Sequence, residues 1–95
     1  MGLHKIKKRL RKIEEIKSVM FCYKYKTLTI YLKEKINPIV GEMVAIGILN
    51  NNLEEMEEFW WYEGSYVKIL DKYFKIFKTY ENRIVFKECD FGEWR

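Results

Sequence analysis

Glutamine is missing from this 95-residue chain, alanine and proline occur once each, and there is a single histidine. One histidine, His4, leaves no histidine pair for a metal and a single candidate base for the common hydrolytic chemistries. It stands near the chain start, where a solvent-exposed helix residue is the ordinary outcome. Ser18 and Ser65 have no nucleophile elbow around them. The glycines build no phosphate-cradling loop, since Gly41 and Gly47 lie inside a helical pattern rather than between a strand and a helix. Cys22 and Cys89 form no CxxC and do not support zinc; two free, half-buried thiols are the plain reading, with a disulfide as the alternative. Glu88 and Asp90 share one side of a strand, but no histidine pair or oxygen-rich loop accompanies them, so no metal and no cofactor is expected.

Long apolar runs are missing too. The longest, over 38–49, carries Glu42 and is too short to span a bilayer. The basic start is not followed by an apolar h-region and cleavage site, so the expectation is no signal peptide, no membrane partner and a cytoplasmic location. Repeats, linkers and low-complexity segments are likewise lacking, and 1–95 reads as a single domain.

What the chain does hold is lysine, glutamate, isoleucine and tyrosine. That bias matches the Lys/Glu enrichment of hyperthermophile proteins, and an AT-rich genome gives a similar one. Six Phe, seven Tyr and three Trp are more aromatic surface than so small a core hides, which points to a subunit or partner interface. The net charge of +4 is mildly basic.

Leu3, Ile6, Leu10, Ile13 and Ile16 recur at three- and four-residue spacing and predict an amphipathic helix over about 3–17. The period then changes to two, predicting a hairpin with strands near 19–25 and 28–34, although "KYKT" lacks the usual Gly or Asn turn chemistry. Asn37 followed by Pro38 marks a second helix start, and its run, apolar nearly all round, should be heavily buried. Gly41, Ala45 and Gly47 would let another backbone approach closely. "NLEEMEEFWW" has Asn52 and Glu55 spaced as a capping box and predicts a short acidic helix or turn. Aromatic and β-branched residues follow, with strands expected at about 61–70, 73–80 and 83–89, and a tail that frays unless Phe91 and Trp94 dock. The order is α-β-β-α-β-β-β, an α+β fold with an antiparallel sheet of about five strands and the helices packed on one face.

Two charged features offer functional leverage. On the first helix, His4, Lys5, Lys8, Arg11 and Lys12 lie opposite the apolar stripe. Cations crowd the helix start and Glu14 and Glu15 follow, which opposes the helix dipole. Lys8 and Lys12 repel at i,i+4 by about 0.2–0.5 kcal/mol. A solvated lysine-rich face, a phosphate-binding face and a face for carboxylates all account for that cost. The last has a supplier in this chain: Glu54, Glu55, Glu57 and Glu58, followed by Trp60 and Trp61 as candidate interface anchors. Reciprocal pairing of basic and acidic segments is what an isologous homodimer uses.

The element order, together with "EEFWWYEGSYVKI" and the aromatic strands after it, resembles small proteins of archaeal rod-shaped viruses, and more narrowly the type I-D anti-CRISPR proteins. The resemblance covers chiefly 53–94. It implies a compact α+β homodimer that inhibits by binding the large subunit of an interference complex, without catalysis. The expectation is therefore a non-enzymatic protein-interaction module, a viral or mobile-element inhibitor or regulator that occludes a larger protein. The alternative is a small basic nucleic-acid-binding protein that uses the N-terminal helix.

Overall fold

A computed structural model of the chain describes residues 2–54, 56–61 and 64–89, without the side chains of Phe59, Trp60 and Trp61. Helix α1 covers Gly2–Arg11 and leads into the hairpin β1 (Ile16–Cys22) and β2 (Thr27–Leu32). A 3-10 turn, Pro38–Val40, opens directly into α2 (Gly41–Asn52), and the chain ends in β3 (Met56–Trp61), β4 (Gly64–Ile69), β5 (Lys72–Thr79) and β6 (Arg83–Cys89). All pairings are antiparallel, in the order β1-β2-β6-β5-β4-β3. Among the described residues the fold is thus α+β, with six strands in one sheet where about five were expected.

Strand alternation separates two faces. Val19, Phe21, Leu28, Ile30, Leu32, Val67, Ile69, Phe74, Ile76, Ile84 and Phe86 are buried on one side. Ile6 and Leu10 of α1 and Ala45 and Leu49 of α2 close over them in a single cluster. Each large apolar side chain buried there stabilises the fold by about 1.5–3 kcal/mol. The helices therefore share one face, and among the described residues the other face of the sheet has no helix on it.

Several local expectations change. Helix α1 stops at Arg11 because Lys12 N donates to Arg9 O at 3.2 Å and Ile13 N to Leu10 O at 3.1 Å, tightening the last turn. Glu14 and Glu15 therefore lie outside the helix. Lys8, Arg9 and Arg11 occupy its final turn, where cations suit the dipole, so only the cations at its start oppose it.

The segment after α2 is also not helical. Asn52 ends α2, its side-chain amide donating to Ile48 O at 2.7 Å, and Leu53 is extended, so the expected capping box does not form. Met56 then turns inward, and the residues that follow pair with β4 from Met56↔Ile69 to Trp61↔Gly64, as β-preferring aromatics favour. Nor is the second helix buried all round. Gly41, Ala45 and Leu49 face the core, whereas Ile39 is 90% and Met43 75% exposed.

The Asn37 start signal holds: Asn37 caps the 3-10 turn, its Oδ1 accepting from Ile39 N at 3.0 Å. The close approach of another backbone expected at the glycines does not: Gly41 is buried against the Thr79 side chain, and Gly47 faces open space. The β1–β2 turn manages without glycine by placing Lys26 at φ 55°, and its carbonyl accepts from Glu88 N at 2.8 Å. The tail with Phe91 and Trp94 is outside the described residues.

Candidate functional site

The helix-free face is built by the residues whose neighbours point into the core. From β2 it receives Thr27, Thr29 and Tyr31; from β6, Arg83, Val85 and Lys87; from β5, Tyr73 and Lys75; from β4, Tyr66 and Lys68. An irregularity between Ile76 and Lys78 lets β5 place Lys78 opposite Val85, and Phe77 stands 58% exposed beside it. Among the described residues, β4, β5 and β6 put no carboxylate on this face. Glu57 of β3 adjoins it, opposite Lys68.

Cations and rings interleave across these strands. Lys68 lies 5.6 Å from the Tyr73 ring centre, Lys75 6.0 Å from that of Tyr66, Lys78 5.8 Å from that of Tyr80 and Lys87 5.8 Å from that of Phe77. The Arg83 guanidinium is closer, 3.8 Å from the Tyr80 ring centre. Such contacts stabilise by about 0.5–1 kcal/mol at exposed sites and hold the cations on the ring faces.

One pairing works against the fold. Lys75 and Lys87 are cross-strand partners at the centre of this face, and like charges directly opposite each other are destabilising. Among the described residues of this face, the accessible rings come from β5, the residue after it and β2: Phe77 is exposed and Tyr31, Tyr73 and Tyr80 are half-buried, while Tyr66 is only 1% exposed. Burial pushes the Tyr66 phenol above its ordinary value, with a smaller push from the nearby Cys89 thiolate. Partial burial likewise raises the Cys89 thiol, against the opposing pull of Lys75 and Lys87. Cys22 and Cys89 are both free and half-buried, so the disulfide alternative is not realised.

Apart from Glu57, whose position opposite Lys68 adjoins this face, the described residues singled out in the sequence lie elsewhere. Lys5, Lys8, Arg11 and Lys12 are exposed at α1, on the side of the sheet that the helices cover. Glu54, Glu57 and Glu58 are exposed at or before the β3 edge, and Glu55 is outside the described residues, as are the side chains of Trp60 and Trp61. The structure does bring part of the two segments together: Arg9, Lys12, Asn52, Leu53 and Glu54 line one shallow groove of about 340 Å³. Glu88 pairs with Lys72 at 3.2 Å, and among the described residues no group of three or more His, Cys, Asp and Glu is placed to hold a metal.

Compared with known protein families, with curated proteins and with solved structures, the chain gives no match. No described helix is long and apolar enough to cross a membrane. The cation-and-ring face escaped sequence reading because its members come from four strands whose order follows from no local pattern. The available signal was the stretch "YFKIF", in which every second residue, Tyr73, Lys75 and Phe77, is aromatic or basic.

Proposed function

We propose that this protein is a non-enzymatic binding module that takes single-stranded nucleic acid on the helix-free face of its sheet. The observation that carries the reading is the Lys75–Lys87 opposition, flanked by ring–cation pairs and by no carboxylate of β4, β5 or β6. Bound phosphates relieve that repulsion and release counterions. Exposed and half-buried rings offer unpaired bases a stacking surface, at about 1–3 kcal/mol per base. A duplex, with its bases already stacked, gains only the phosphate contacts.

The test is fluorescence anisotropy of labelled single-stranded DNA, single-stranded RNA and duplex, titrated at several salt concentrations. Single strands should bind more tightly than duplex, with log affinity falling linearly against log salt by about 0.7 per phosphate neutralised. Lys75→Glu with Lys87→Glu should abolish binding, and Lys8→Glu with Lys12→Glu should leave it intact. The reverse result moves the site to α1, and no binding at low salt removes the reading.

A second reading rests on the groove that Arg9 and Lys12 share with Glu54. Neighbouring patches of opposite charge suit a two-fold interface between copies, or a larger protein partner to be occluded, as an inhibitor would do. Sedimentation equilibrium decides the homodimer. A salt-sensitive monomer–dimer equilibrium supports it, and a strict monomer at every concentration counts against it.

A further inference from the structure

At one end of the cation-and-ring face, the β5–β6 turn and the 35–38 segment enclose an open groove of about 520 Å³. Backbone bonds fix its walls: Ile36 N donates to Glu81 O at 2.8 Å and Leu32 N to Asn82 O at 2.9 Å. Thr79 Oγ1 adds a bond to Pro38 O at 2.8 Å. Lys35, Tyr80, Glu81, Asn82 and Arg83 supply the chemistry of the lining. Arg83 belongs both to the sheet face and to this groove, so the two surfaces are continuous.

We propose that this groove is a guanine subsite for one nucleotide of the bound strand, an inference that rests on the nucleic-acid reading above. The volume lies within the ordinary range for small-molecule sites. Arg83 is held flat by Tyr80 at 3.8 Å and by Asn82 Oδ1, which accepts from its Nη1 at 3.0 Å. A guanidinium plane fixed in that way offers a stacking surface to a base. Lys35 stands ready for the phosphate.

The decisive group is Glu81. A carboxylate repels the backbone of a polyanion, so its place in such a groove makes sense when it accepts hydrogen bonds from a base. Among the described residues no cation pairs with it. Of the four bases, guanine alone presents two adjacent donors, N1–H and the N2 amine, that match both oxygens of a carboxylate. Adenine, cytosine and uracil or thymine each present one donor group on that edge.

The experiment uses oligothymidylate hosts that carry one guanine, adenine, cytosine or hypoxanthine at either end, titrated by anisotropy against the full chain. Guanine at the favoured end should bind about tenfold more tightly than adenine, the discrimination a bidentate base contact supplies. Hypoxanthine, which lacks the N2 amine, should fall between them. Glu81→Gln should erase the ranking while the plain host still binds, and Lys35→Ala should weaken all hosts alike. Equal binding of every host by the wild type overturns the guanine subsite and leaves the sheet-face reading standing. Failure of all hosts to bind overturns both.

Discussion

The Arg83 guanidinium sits 3.8 Å from the centre of the Tyr80 ring, the closest cation–ring approach among the described residues, and Asn82 Oδ1 accepts one of its N–H groups. That arrangement fixes a side chain that otherwise loses much rotamer freedom on binding. Arg83→Lys keeps the charge but gives up the plane. It should weaken single-strand binding several-fold while changing the salt slope little, and Arg83→Ala should lower both. An Arg83→Lys variant that binds like the wild type would remove stacking from the account.

The two glycines of α2 make a paired prediction about stability. A Cβ added at Gly41 meets Thr79 Cβ and would lie 2.7 Å from its Cγ2 and 2.8 Å from its Oγ1, while one at Gly47 meets nothing within 4 Å. Thr79 cannot swing away freely, because its hydroxyl donates to Pro38 O. Gly41→Ala should destabilise by about 1–3 kcal/mol through overpacking. Gly47→Ala should stabilise by about 0.5–1 kcal/mol through helix propensity. Urea melts of the two variants check the opposite signs.

Alkali should weaken the fold. Burial raises both the Tyr66 phenol and the Cys89 thiol, so folding favours their protonated forms. Their contribution is complete below the unfolded-state values and is lost as pH rises through the folded ones. Thermal melts should be level for these groups near neutrality and fall from about pH 9 upward. Tyr66→Phe should flatten the upper part of that decline, and a decline unchanged in Tyr66→Phe with Cys89→Ser would clear both groups of it.

The same burial bears on thiol chemistry. At neutral pH Cys89 is kept as a thiol rather than a thiolate, and its reactivity falls accordingly. Alkylation by iodoacetamide at pH 7 should be slower at Cys89 than for the same residue in the urea-unfolded chain. Peptide mass spectrometry over a time course measures this, and equal rates would contradict the burial argument.

Much of the fold was legible where one physical signal dominated. The three- and four-residue spacing from Leu3 to Leu10 marks α1, and the alternation of Leu28, Ile30 and Leu32 marks β2, because one buried face imposes the period directly. Asn37 and Pro38 mark the start of the 3-10 turn leading into α2, because cap chemistry is local. Reading failed at 53–61, where the pairing of β3 with β4 decides the structure and glutamates at an edge strand imitate an acidic helix. The candidate site was harder still. Tyr31, Lys75, Arg83 and Lys87 come from three strands and meet only because β6 lies between β2 and β5. No spacing along the chain encodes that neighbourhood, whereas the basic residues of α1 lie close together in the sequence.

The β2–β6 pairing has a consequence for how the chain assembles. It joins a hairpin closed by a short turn to a four-strand meander, and its partners, such as Ile30 and Ile84, are far apart in sequence. Contacts within the hairpin and the meander are local and form early, whereas this seam requires closing a long loop that contains α2. Folding speed should therefore be governed at the seam: Ile69→Val, in meander contacts already made when the seam closes, should mainly slow refolding measured by stopped flow, while Ile84→Val, whose contact with Ile30 forms last, should mainly speed unfolding. The surface proposed to hold a nucleic acid straddles that seam, with Tyr31 on one side and Arg83 on the other, so the chain completes its binding face only in the last step of becoming folded.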